Sequence, residues 1–261
     1  VNLELVPQRD RLGIFFQRTD LKGSPEIPAL LSSVVGTERR VTLGKEGAKV
    51  ALVEHLLSAL AAMKIDSLLI KVDGPEVPIL DGSAKEFIDI LLKSGVEELP
   101  FSMNPIYLRE PVVFSEGESH LVAFPSEKEV YSCFLSYPGD PILDWQSFIF
   151  PFEEEKYRKE IAPARTFARF EEVEILKSRG ILQGGSLEYG VVIKEDQVLN
   201  PEGLRFPEEM VRHKVLDFIG DLSLMGIPLI AHFIAVRGGH TSHIAFAQKI
   251  EATCLEGLHT E

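Results

Sequence analysis

Between Val53 and Met63 the apolar residues Leu56, Leu57, Leu60 and Ala61 recur at helical spacing, so this segment predicts a helix with one buried face. The residues before it read as short strands and turns. After it, Ser67 to Val72 predicts a strand, Asp81-Gly82 a turn, and Ser83 the N-cap of a second helix running to Lys93. The pattern breaks at Met103-Asn104-Pro105, which sets a domain boundary between 103 and 104. Strand-like runs then resume at Ile106–Phe114, His120–Phe124 and Val130–Tyr137. A helix at Arg212–Met225, a strand at Pro228–Val236 and a helix at Thr241–Thr253 close the chain.

The second half therefore repeats the order of the first. Met63-Lys64-Ile65 and Met225-Gly226-Ile227, each ending a helix before a strand, lie 162 positions apart (225 − 63), and the same offset carries His55 onto Asp217. Two equivalent helices facing each other would bring those residues to one seam. The prediction is an α+β protein of two similar domains, 1–103 and 104–261, the second with an insert near 167–200.

Composition narrows the function. The formal charge of −13 on 261 residues argues against nucleic-acid binding, which needs clustered Lys and Arg. Cys133 and Cys254 form neither a Cys-x-x-Cys pair nor a disulfide framework, which favours a reducing compartment. The apolar stretch Leu222–Val236 is broken by Gly226, Pro228 and His232 and is too short to span a bilayer. The opening VNLELVPQRD has no signal-peptide pattern and no initiating Met, so further sequence is expected ahead of Val1.

His213 and Asp217 stand i, i+4 on one predicted helix, which puts an imidazole and a carboxylate on one face within reach of one cation. The same spacing also suits a solvated ion pair. A catalytic zinc commonly takes three protein ligands, and His55 is the candidate third, with Glu54 beside it as a base. The zinc-protease pattern His-Glu-x-x-His is absent. Arg237-Gly238-Gly239-His240 joins the last strand to the last helix. Asp221, one turn beyond Asp217, could pair with His240 and raise its pKa, or support a ligating histidine. Gln183-Gly184-Gly185-Ser186 and Asp81-Gly82-Ser83 read as turns, since no phosphate-loop motif occurs.

Six blocks in order resemble the zinc-dependent UDP-3-O-acyl-N-acetylglucosamine deacetylases, which act early in lipid A synthesis. They are Val53-Glu54-His55-Leu56-Leu57-Ser58-Ala59-Leu60, Glu76-Val77-Pro78-Ile79-Leu80-Asp81-Gly82-Ser83, Ala164-Arg165-Thr166-Phe167, Asn200-Pro201-Glu202-Gly203-Leu204-Arg205, the run Arg212 to Asp221, and Gly238-Gly239-His240. The resemblance implies His55, His213 and Asp217 as zinc ligands, Glu54 as general base and His240 as catalytic histidine with Asp221 as its partner. It also implies Thr166 at the oxyanion, and Lys214 with Phe167 as substrate contacts. The fold implied is two sheets with the helices of both domains packed between them. Two departures stand out. The family's first strand, with a Gly-x-Gly-x-His-Ser-Gly-like motif, lies outside this sequence, and His243 replaces an asparagine.

The implied reaction is zinc-dependent hydrolysis of the N-acetyl amide of an acylated UDP-N-acetylglucosamine by a cytoplasmic monomer, with peripheral contact to the inner membrane left open. Iron and cobalt suit the same donors. Phe170, Ile175, Leu176, Ile181, Leu182, Val191 and Val192 line either an acyl passage or a small ordinary core. A non-catalytic UDP-sugar binder and a nucleotide-dependent kinase are the rival classes. Glu54 and His240 speak against the first, since binding requires neither.

Overall fold

A computed structural model of the chain describes residues 1–100, 103–173 and 187–258. Strands β1 (Leu3–Pro7), β2 (Gly13–Arg18) and β3 (Glu26–Pro28) precede a small antiparallel sheet of β4 (Val34–Gly36), β5 (Thr42–Lys45) and β6 (Ala48–Ala51). Helix α1 (Glu54–Ala62), strand β7 (Ser67–Val72) and helix α2 (Lys85–Ser94) follow. Then come β8 (Ile106–Tyr107), β9 (Val112–Glu116), β10 (Ser119–Phe124), β11 (Val130–Leu135), β12 (Gln146–Pro151) and a helical turn through Glu154–Ile161. Strands β13 (Phe167–Arg169), β14 (Val191–Lys194) and β15 (Gln197–Val198) form a third small sheet. Helix α3 (Glu209–Ser223), β16 (Leu229–Ile230), β17 (His232–Val236) and helix α4 (His240–Leu258) complete an α+β fold.

The two larger sheets share one wiring. In the first, β1 runs antiparallel to β7, β7 parallel to β2, and β2 antiparallel to β3. In the second, β10 runs antiparallel to β17, β17 parallel to β11, and β11 antiparallel to β12, with β9 added beside β10. In each, the helix that precedes the central strand ends on a left-handed residue. These are Lys64 at φ 54° after α1 and Gly226 at φ 71° after α3, again 162 apart (226 − 64).

Alternation along the strands sets the core. In β17, Phe233 and Ala235 are buried while His232, Ile234 and Val236 are half-exposed. The buried set meets α3, where Phe218 makes ring contacts with Tyr131 and Phe233, and such burial contributes about 2 kcal/mol per large side chain. Helices α1 and α3 pack directly on each other. Gly220 is required at their crossing, because a Cβ there would stand 2.2 Å from the Glu54 carbonyl oxygen.

Several boundaries differ from the sequence reading. Ile106–Phe114 is two strands in different sheets, split where Arg109-Glu110-Pro111 interrupts the apolar run. Pro228–Val236 is also two: Leu229–Ile230 pairs with β8, and the chain changes sheets at Ala231. Helix α3 starts three residues before Arg212, and α4 begins at His240 and runs past Thr253. Ser83 is not the N-cap. Its hydroxyl accepts the Lys85 N–H from one residue further out, and the helix begins at Lys85 after Ala84.

The early start of α3 matters because its first residue, Glu209, is a clamp. The fully buried Glu209 carboxylate accepts the backbone N–H of Arg165 (3.0 Å) and of Arg205 (2.7 Å), and the Arg165 Nε–H and Nη2–H (2.8 and 3.1 Å). Glu202 and the Gly203 carbonyl complete the guanidinium's partners. The segment Ala164–Thr166 is thereby fixed against the helix that carries His213 and Asp217.

Gly220→Ala is expected to lower stability by about 3 kcal/mol, since the helix seam cannot take a methyl without moving backbone. A denaturant titration measures it, and an unchanged midpoint would contradict the close approach. Glu209→Ala is expected to cost about 3 kcal/mol, at the lower end for a broken buried pair because Glu202 still faces Arg165; the same titration reads it.

Candidate active site

Helices α1 and α3 bring His55, His213 and Asp217 together, all three buried. The His213 Nε2 lies 3.2 Å and the His55 Nε2 3.7 Å from Asp217 Oδ1, and the rings meet edge to face at 4.9 Å. The three donor atoms lie within 4.8 Å of one another. The Nδ1–H of His213 donates to the Ala164 carbonyl at 3.0 Å, which leaves Nε2 with its lone pair facing the cluster. That carbonyl belongs to the segment held by Glu209.

The charge states suit a cation. Burial, aided by neighbouring His213, pushes the His55 pKa down to about 3 against the pull of Asp217, so the ring is neutral. Burial opposes ionisation of Asp217 too, but His213 and Lys214 outweigh it and hold the carboxyl well below its usual range. Asp217 Oδ1 is buried and accepts no hydrogen bond, whereas Oδ2 accepts one from Lys214 Nζ at 2.9 Å. Two imidazole nitrogens turned toward an unsatisfied carboxylate oxygen form a donor set that fits a divalent metal ion.

On the other side of Glu54 a second pair behaves oppositely. The His240 Nδ1–H donates to Asp221 Oδ2 at 2.8 Å, and its Nε2 stands 3.8 Å from Glu54 Oε1. Burial works against the imidazolium, but Asp221 and Asp217 together raise its pKa to about 10, so His240 is protonated at neutral pH. Burial raises Glu54 to about 7, with His240 pulling the other way. The Glu54 Oε2 accepts the Val41 backbone N–H at 3.1 Å, so the loop after β4 fixes the carboxylate.

His243 is the residue whose part sequence reasoning missed. Its Nδ1–H donates to the same Asp221 Oδ2 at 2.7 Å, and its ring stacks on Phe218 at 4.5 Å. Burial keeps it neutral, so it is a second N–H donor that fixes the carboxylate under His240. Its i+3 spacing from His240 was the available signal. The Arg165–Glu209 clamp was missed because its partners lie 44 residues apart and share no periodicity.

The remaining sequence candidates lie nearby with different surroundings. Lys214, expected on the substrate, has its ammonium on Asp217 Oδ2 and 5.6 Å from the centre of the Phe167 ring. Thr166 donates its backbone N–H to Gly82 O at 2.7 Å. Gly82, at φ +81°, permits this approach, since a Cβ there would meet the Tyr189 carbonyl at 2.4 Å. Of the side chains considered for an acyl passage, Val191 and Val192 are buried and Phe170 is half-buried beneath Lys194. Ile175, Leu176, Ile181 and Leu182 lie outside the described residues. Among the described residues no helix is long and apolar enough to cross a membrane.

Comparison with known proteins supplies the family. The family model described as LpxC, UDP-3-O-acyl N-acetylglycosamine deacetylase, matches residues 1–252. A UDP-3-O-acyl-N-acetylglucosamine deacetylase of Myxococcus xanthus is 42% identical over 258 residues, covering 98% of this chain and 82% of the relative. Proteins of the same name from Chlamydia abortus (43% identical; 95% of this chain, 88% of the relative) and Bdellovibrio bacteriovorus (40% identical; 95% and 82%) are similarly related. A match of this extent means that the chain belongs to the UDP-3-O-acyl-N-acetylglucosamine deacetylase family.

Proposed function

We propose that this chain hydrolyses the N-acetyl amide of a UDP-3-O-acyl-N-acetylglucosamine, the deacetylation that the names of its relatives describe and a step of lipid A synthesis, using a zinc ion held by His55, His213 and Asp217. The observation that carries the reading is the convergence of those three donors beside an acid and a base of opposite charge state, Glu54 and His240, 3.8 Å apart. Zinc in such a site supplies Lewis acidity, making a water nucleophilic near neutral pH and polarising the amide carbonyl.

The chain's own groups do the rest. Glu54 takes the proton as the water oxygen bonds to the acetyl carbon, and the carbonyl oxygen gains negative charge. The cationic His240 stabilises that charge, with Thr166 as a hydroxyl donor on the same segment as the Ala164 carbonyl. As the C–N bond breaks, His240 gives its proton to the departing amine, leaving acetate and a free amino sugar. Asp221, fixed by His243, holds the ring with Nε2 toward Glu54.

In this reading Lys214 and Phe167, whose ammonium and ring centre stand 5.6 Å apart, contact the sugar. The finer architecture belongs to the same reading. Residues 1–103 and 104–261 form two related α+β units whose helices meet at the metal, supported by the matched strand wiring and the paired left-handed helix ends. The enzyme acts as a cytoplasmic monomer in this reading.

Asp217→Ala should reduce bound zinc well below one equivalent and abolish acetate release, as read by metal analysis and product assay. Full zinc with full activity would remove Asp217 from the ligand set. His240→Ala should keep its zinc and lose about 10²-fold or more in kcat; loss of the metal instead would make His240 a ligand. The wild-type kcat/KM should be bell-shaped in pH. The acid limb reports Glu54 deprotonating at or below about 7, because a bound cation can only lower it. The alkaline limb reports the His240 proton, present at neutral pH and lost as pH rises toward about 10. A profile without an alkaline limb would exclude His240 as the acid.

A further inference from the structure

A threonine hydroxyl can donate to a developing oxyanion only if its χ1 torsion is held, and the surroundings of Thr166 hold it by the methyl group. A Cβ on Gly82 would stand 3.1 Å, and one on Gly190 3.0 Å, from Thr166 Cγ2, so two stretches of side-chain-free backbone close on that methyl. The flanking peptides are fixed as well. The Thr166 N–H donates to the Gly82 carbonyl, and the Thr166 carbonyl accepts the Val191 N–H, both at 2.7 Å.

Gly82 lies in a turn that needs outside support. Leu80 at φ +53° and Gly82 at φ +81° flank Asp81 in left-handed backbone, which a leucine adopts only when other contacts enforce it. Asp81 supplies those contacts. Its Oδ1 accepts the Ser83 N–H (3.0 Å) and hydroxyl (2.7 Å), and its Oδ2 accepts the Arg205 Nη1–H at 2.8 Å from 124 residues away. Burial opposes ionisation of Asp81, but the bonds from Ser83 and Arg205 outweigh it and hold the carboxyl below its usual range. The Arg205 Nη1–H also reaches the Pro163 carbonyl (2.9 Å), and the Arg205 backbone N–H reaches Glu209 Oε2 (2.7 Å). A turn that only started helix α2 would use Ser83 and have no need of Arg205. Here one guanidinium ties together the chain just before Thr166 and the turn that receives the Thr166 N–H.

We infer that Asp81 is a positioning residue for the deacetylation: through Arg205 and the Gly82 backbone it fixes the rotamer of Thr166. The inference rests on the reading of Thr166 as a hydroxyl donor to the oxyanion. That bond strengthens as charge builds on the carbonyl oxygen, so displacing the hydroxyl lowers kcat and leaves KM in place.

Asp81→Asn tests this, since it keeps an oxygen for Ser83 but cannot offer acceptors to both Ser83 and Arg205. The expected result is a kcat about tenfold lower, with KM within about twofold and zinc unchanged. Thr166→Ala should lower kcat at least as far, and adding Asp81→Asn to it should cost nothing more. Three-bond couplings from the ¹³C-labelled Thr166 methyl to the backbone should show a single χ1 in the wild type and an averaged one in Asp81→Asn. Arg205→Met breaks the same contact from the other side and gives the same readings if Asp81→Asn does not fold. Losses that multiply in the double variant would overturn the inference, as would an unchanged χ1 or a wild-type kcat in Asp81→Asn and Arg205→Met while Thr166→Ala is impaired. Thr166→Ala at wild-type kcat would instead remove Thr166 from the oxyanion, and this inference with it.

Discussion

Helices α1 and α3 touch backbone to side-chain-free backbone at Gly220, and the position of every reactive group depends on that approach. Any side chain there would hold the helices apart. His55 and Glu54 would then move away from Asp217, and the 3.7 Å separation that makes a three-donor cluster would open. The seam also explains why the site is buried: the residues that form it are packed where the two helices meet, so charges there interact strongly.

Burial makes the two histidine–aspartate pairs diverge. His55 sits among other imidazoles and only 3.7 Å from a carboxylate shared with Lys214, so desolvation wins and the ring stays neutral. His240 has Asp221 in direct hydrogen-bond contact at 2.8 Å and Glu54 on its other nitrogen, so the carboxylates win and it stays charged. One buried seam thus contains a histidine fit to ligate a cation and another fit to give up a proton. What separates them is under an ångström of approach to a carboxylate and the sign of the next neighbour. His243 adds a second N–H to Asp221 without adding charge.

The Arg165–Glu209 pair serves the same seam from outside. It lets one carboxylate hold three separate pieces of backbone, at 165, 205 and the start of α3. The Ala164 carbonyl consequently meets His213 Nδ1, and the Thr166 amide meets Gly82. A buried ion pair adds little net stability compared with apolar packing, but it fixes geometry, and a metal centre needs geometry.

Much of this was legible in the chain itself. The 3.6-residue spacing gave α1, the strand-like run Ser67–Val72 gave β7, and i, i+4 spacing put His213 and Asp217 on one face; the 162-residue offset related His55 to Asp217. These are local or repeated patterns, and periodicity records them. Tertiary structure alone decided where 106–114 and 228–236 break, because a strand's choice of sheet depends on distant partners such as β8 for Leu229. It alone decided that Glu209 rather than Arg212 neighbours the start of α3, since a buried carboxylate clamp leaves no apolar period. It also decided which histidine is charged: a pKa is set by burial and by contacts across 19 or 162 residues, and no spacing along the chain encodes them.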